Sequence, residues 1–113
     1  MATGTTIQLT RVGRWMSCAE YDAMLVSNMV QQSFSGSTHG GRPPDIMAFF
    51  RQAKPGSVYI EFDVPSTCLK QTGRGWAKII GPHSIEGRLA ARKAWTVPQM
   101  PAAANIRFVT IKF

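Results

Sequence analysis

Acidic residues are scarce in this chain: six Asp and Glu stand against thirteen Lys and Arg, leaving a net charge of +7 and a pI near 10.1. That imbalance draws a protein toward an acidic partner, whether nucleic acid, an anionic cofactor or an acidic protein. The basic residues are scattered, with Arg88, Arg92 and Lys93 as the one dense group, which argues against a dedicated nucleic-acid stripe. Cysteine is scarcer still. Cys18 and Cys68 lie far apart without CxxC or Cys/His spacing, so no metal site is expected, a disulfide is left open, and both are read as small buried apolar residues. No apolar run approaches the roughly 20 residues of a membrane span. The start has no charged region followed by an apolar stretch, so export is expected to depend on something else. A G-x-G-x-x-G after a strand and a Walker loop are both missing, and with them the two commonest nucleotide-binding signatures. There is no repeat, linker or low-complexity tract, and residues 1–113 are expected to form one domain.

What is present suffices for a core: 44% of residues are hydrophobic and 10% aromatic. Residues 5–10 alternate polar with apolar side chains, as a half-buried strand does, and deliver Arg11 at the strand's end. Ser17-Cys18-Ala19-Glu20 fits a capping box that starts a helix over about residues 18–27. Residues 29–34 read as a short strand. Pro43-Pro44-Asp45 opens a second helix that buries Ile46, Phe49 and Phe50 and is stopped by Lys54-Pro55-Gly56. Residues 57–64 form the clearest strand, with Val58, Ile60, Phe62 and Val64 on one face and Tyr59, Glu61 and Asp63 on the other. Residues 65–75 read as a connection with one helical turn, and 76–80 as a strand. Ser84 caps a short helix over 85–94 that Gly87 weakens, and 105–113 close the chain as a strand. Helices concentrated in the front half predict an α+β fold with an antiparallel or mixed sheet.

Chemistry-bearing residues are few. Residues 33–41 are small and polar, carrying three glycines that admit close backbone approach and the polar side chains of Ser35, Ser37, Thr38 and His39. Arg11, or Arg14 just after it, could fork onto a phosphate or diphosphate. His39 and His83 could serve as acid and base, which would suit a basic ribonuclease; a non-enzymatic nucleic-acid-binding module is a further alternative. Glu86 falls in the first turn of the short helix, where a carboxylate favours the helix dipole. Gln99, between Pro98 and Pro101, has no obvious structural duty, and its amide can bond a hydroxyl without offering charge.

Read together, Arg11-Val12-Gly13-Arg14-Trp15-Met16-Ser17, the Ser35-Gly36-Ser37-Thr38-His39 loop, residues 52–65, Gly75-Trp76-Ala77-Lys78-Ile79-Ile80-Gly81-Pro82, Gly87-Arg88-Leu89-Ala90-Ala91 and Pro98-Gln99-Met100-Pro101 resemble the TreTu toxin domains of Rhs-type polymorphic toxins. These are ADP-ribosyltransferases of the arginine–serine–glutamate group. The resemblance implies a small α+β fold with a split, two-sheet, mostly antiparallel core that binds NAD as ADP-ribose donor. It implies Arg11 and Gly13 against the dinucleotide, Ser37 with Thr38 near the nicotinamide ribose, and a glutamate stabilising the oxocarbenium-like charge. The sequence departs from the family pattern here, with no E-x-E or Q-x-E before the last strand. Gln99 fills that role by position, or Glu86 by chemistry. The resemblance further implies elongation factor Tu as target, a cognate immunity protein of complementary surface, no membrane or direct nucleic-acid partner, and delivery into a target bacterium's cytoplasm as the C-terminal piece of a larger secreted effector, by a type VI route.

Overall fold

The computed structural model describes residues 7–32 and 38–113. Six strands, β1 (Leu9–Met16), β2 (Thr38–Gly41), β3 (Val58–Pro65), β4 (Leu69–Gly73), β5 (Trp76–Ile79) and β6 (Ala104–Ile111), make one sheet in the order β4-β5-β2-β1-β3-β6. Every neighbouring pair is antiparallel. Among the described residues two short helices accompany it, α1 (Cys18–Ser27) and α2 (Ile85–Arg92), with a 3-10 turn at Ser66–Cys68. The expected α+β fold with a split two-sheet core and front-loaded helices is thereby corrected. The sheet is single, the described chain is mostly β, and α2 lies in its last third.

Local chemistry explains the difference. Residues 45–52 fold as successive turns, and Phe49, expected on a helix face, sits at φ 63, a left-handed conformation that a right-handed helix cannot pass through. Leu69–Gly73, read as connection, instead pairs with β5 as a hairpin strand. The first strand runs Leu9–Met16, so Arg11 lies within it and not at its exit. Of the strand expected over 29–34, the described part supplies an isolated bridge, Met29 with Ala102; residues 33 and 34 fall outside the described residues.

Cys18, expected buried, is exposed as the first residue of α1, and Cys68 is only half-buried at the end of the 3-10 turn. The caps and the core face are as expected. Ser17 caps α1, its side chain accepting from the Glu20 amide, and Ser84 caps α2 by accepting from the Gly87 amide. Gly87 is buried in α2, and a Cβ there would meet the Pro82 carbonyl oxygen at 2.5 Å. The residue that lowers helix propensity is what lets the helix rest on the preceding turn. Val58, Ile60, Phe62 and Val64 alternate onto one face of β3 and join Val12, Met16 and Ile79 beneath Met24 of α1. Burial of each such side chain stabilises by roughly 1.5–3 kcal/mol, which fixes that face as the interior and leaves the opposite one for polar groups.

Candidate functional site

Residues directly opposite in an antiparallel pair share a face, as do residues two apart in a strand. Register therefore places the polar side chains. Arg11, Gly13 and Trp15 of β1 stand opposite Asp63, Glu61 and Tyr59 of β3. Gly13 also pairs with Gly41, two residues beyond His39, which pairs with Lys78, which pairs with Lys70. One face thus carries Arg11, Glu61, Asp63, His39, Lys78 and Lys70, opposite the hydrophobic core. Residues 45–52 cover part of it. Trp15 donates its indole N–H to the Ile46 carbonyl at 2.7 Å and packs on Tyr59 and Phe50, while Phe49 lies between His39 and Trp76.

At the β1–β3 end, Arg11 donates from Nη1 to Asp63 Oδ1 at 3.1 Å and to the Asn105 carbonyl at 3.0 Å, and from Nε to Glu61 Oε1 at 3.4 Å. A bulge in β6 builds the contact to the Asn105 carbonyl. Glu61 and Asp63 pair with Arg107 and Ala104, so one extra residue is accommodated on β6. Asn105 takes a left-handed φ of 51 and points its amide at Asp63 Oδ2, 2.8 Å away. That bond, with the Arg11 guanidinium, holds the Asp63 carboxyl below the usual carboxylate range. Gly13 is needed for a different reason: the Tyr59 hydroxyl end lies where a Cβ would stand. Tyr59 is 1% exposed and its hydroxyl meets no well-formed hydrogen-bond partner among the described residues, the backbone of Asp45 exerting only a minor opposing influence on its phenol. Burial, with the Glu61 charge, pushes the phenol up to about 12.

At the β4–β5 end, Glu86 of α2 ion-pairs with Lys78 at 2.9 Å and Lys70 at 3.3 Å. The Lys78 ammonium above all holds its carboxyl down at about 2. Between the two ends, Arg14 ties elements together from the core side. It clasps Glu20 of α1 with Nε and Nη2 at 2.7 and 3.0 Å and donates to the His39 carbonyl at 2.8 Å.

The expected site residues are therefore spread out. Arg11 and Gly13 share a strand face, and Glu86 reaches that face two strands away through Lys78. Thr38 pairs with Ile79 on the core face, is 1% exposed, and donates to the Gln31 carbonyl. Gln99 is exposed and donates to the Val97 carbonyl. His83 is exposed in the turn before α2, whereas the His39 ring lies against Phe49. Ser37, with Ser35, lies outside the described residues. The sequence pattern places Glu61 and Asp63 on the second face of their strand without a role, and gives none to Asn105, Lys70 or Lys78. The alternation of β3 had already put both carboxylates on one face; the missing step was that β1 is its neighbour.

The family described as TreTu toxin, C-terminal domain, matches residues 9–107; no curated protein matches the chain. That span opens on the first residue of β1 and closes within β6, taking in both charged clusters and the strands between them. The chain belongs to the TreTu toxin C-terminal domain family and is a toxin domain.

Proposed function

We propose that this toxin domain is an NAD-dependent mono-ADP-ribosyltransferase that inhibits translation by modifying a bacterial protein-synthesis factor, by resemblance elongation factor Tu. The observation that carries the reading is Arg11, a guanidinium on the polar face of β1 inside the family match, with its side chain one-third exposed. With Nε and Nη1 engaged by Glu61, Asp63 and the Asn105 carbonyl, Nη2 donates to none of the described residues and is the edge left for a phosphate oxygen of the dinucleotide. A net charge of +7 adds long-range attraction for the dinucleotide.

In the proposed reaction the bond between ribose and nicotinamide breaks with its electron pair leaving on nicotinamide. A nucleophile of the target then forms the new bond to the ribose carbon and gives up its proton. A carboxylate stabilises the positive charge that develops on the ribose. Glu86 can do so because it stays ionised at every physiological pH; Lys70 and Lys78 compete for it and set its position. Gln99 would offer an uncharged amide oxygen instead. Thr38 does not fit a ribose contact, since its hydroxyl is buried on the core face.

A cognate immunity protein would protect the producer, and the domain would reach its target's cytoplasm as the C-terminal part of a larger secreted effector. No helix among the described residues is long and apolar enough to cross a membrane.

The test is incubation of the protein with labelled NAD and a bacterial lysate, beside Arg11→Ala, Glu86→Ala and Gln99→Ala. Label should appear on one protein band, and Arg11→Ala, still folded by circular dichroism, should lose about 100-fold or more, as removal of an oriented transition-state donor does. Whichever of Glu86→Ala and Gln99→Ala loses label identifies the third residue. No label and no nicotinamide release from a folded, growth-arresting protein would end the transferase reading; RNA loss without NAD would replace it with the His39/His83 ribonuclease.

A further inference from the structure

Helix α2 turns two unlike faces to its surroundings. At about 100° per residue, Gly87 and Ala90 fall on one side, and both are buried. Arg88, Arg92, Ile85 and Leu89 fall within an arc of about 100° on the other. These four side chains line an open groove of about 250 Å³. Ile85 is 64% and Leu89 44% exposed, a large apolar area for so short a helix. Apolar groups at this spacing belong against a partner surface.

Charge indicates what that surface carries. Four of the six acidic residues are consumed internally: Glu20 by Arg14, Glu61 and Asp63 by Arg11, and Glu86 by Lys70 and Lys78. Neither Arg88 nor Arg92 pairs with a carboxylate of the described residues. Two uncompensated guanidinium groups thus border two exposed aliphatic side chains. Aliphatic side chains at the centre do not suit nucleic acid, which seeks stacking aromatics alongside its phosphate contacts.

We infer that the Ile85–Arg88–Leu89–Arg92 groove is a docking site for an acidic, leucine-bearing helical segment of a partner protein, whose aliphatic side chains enter between Ile85 and Leu89 while its carboxylates meet Arg88 and Arg92. The inference goes beyond the transferase reading and does not depend on it, because none of the four residues has a part in that chemistry. Arginine suits the role by donating two N–H bonds to a carboxylate in a bidentate fork, and helix-in-groove recognition uses anchors at this i, i+4 spacing.

The probe is a short helical peptide with leucines at i and i+4 flanked by glutamates, beside one version with serine for leucine and another with lysine for glutamate. Amide chemical-shift mapping on isotope-labelled protein reads both the site and the affinity. The acidic leucine peptide should shift signals of residues 85–92, and the Arg88→Glu/Arg92→Glu variant should weaken it about 100-fold, roughly tenfold per reversed charge. Leu89→Ser should weaken it about tenfold with charge intact. Both changes are on exposed positions, and the spectra themselves report retention of the fold. Shifts centred elsewhere, equal binding of the lysine peptide, or indifference to the charge reversal would overturn the inference. So would tighter binding at the same residues by an RNA oligonucleotide or by phosphatidylserine vesicles, which would reassign the groove.

Discussion

On one side of the Gly13–Gly41 pair, strands β1, β3 and β6 run eight residues each; on the other, β2, β5 and β4 run four, four and five. The β1–β3 ladder holds register from Leu9–Pro65 to Met16–Val58 without a break. Between β1 and β2, a single pair is in register. The core is apportioned likewise: Val12, Met16, Val58, Ile60, Phe62 and Val64 come from β1 and β3, while the short-strand side gives Ile79 with Leu69 packed at its edge. Stability is concentrated in the long strands, and the short ones carry lysines, turns and α2. This division lets one half act as scaffold while the other is free to present groups to partners.

The sharpest way to break this comparison is to cut the core on each side. Phe62→Ala, at a fully buried position of β3, should cost about 3–5 kcal/mol, against roughly 1–2 kcal/mol for Leu69→Ala at a half-buried position of β4. Urea unfolding measures both. Equal losses would show that the two halves share the load and that strand length misleads.

Next comes the tie between the halves. Arg14 spans β1, α1 and the β2 backbone, and its ion pair with Glu20 is 15% exposed on both sides. Removing one member of such a pair strands the other charge, so Arg14→Ala should cost about 3 kcal/mol. A combined Arg14→Met/Glu20→Leu variant should recover part of that loss, since it leaves no uncompensated charge. If the combined variant is as unstable as the single one, the bond to the His39 carbonyl, and not the ion pair, is what joins the halves.

The contrast between halves also marks how far the sequence could be read. The strand over residues 57–64 was legible because its alternation is strict, and α1 because Ser17 and Glu20 are capping residues at the right spacing. Local pattern is enough for both. The β4 strand was not legible, because Leu69-Lys70-Gln71-Thr72-Gly73 has one apolar side chain and is ordered by pairing with β5. The helix expected after Pro44 failed on a backbone angle at Phe49 that apolar spacing does not encode. For the site, Arg11, Gly13 and Glu86 were visible as residues. Their partners depend on which strands become neighbours, and that is decided by contacts some 50 residues apart in the chain, as between Arg11 and Glu61.

The mildest perturbation, pH, should reach the two halves from opposite ends of the scale. Tyr59 in β3 has its phenol raised from 10.0 to about 12. The folded state resists its ionisation, so its contribution is full below pH 10 and is lost as pH rises toward 12. Loss of about 2 kcal/mol over that interval is expected, and Tyr59→Phe should remove it while changing neutral-pH stability little, because the buried hydroxyl has no well-formed partner among the described residues. Glu86, on the short-strand side, is lowered from 4.5 to about 2, chiefly by Lys78. Its contribution is full above pH 4.5 and is lost as pH falls toward 2. Solvent around Lys70, 61% exposed, screens the cluster, so about 1 kcal/mol is expected. Glu86→Gln should flatten the acid limb by that amount and leave the residual slope due to Asp63, whose lowered carboxyl sits in the other half. Unfolding free energies across pH, with each variant beside the parent, check both limbs. An acid limb unaltered by Glu86→Gln would place the acid-sensitive charge at Asp63, and would mean that the lysine cluster contributes nothing to holding α2 in place.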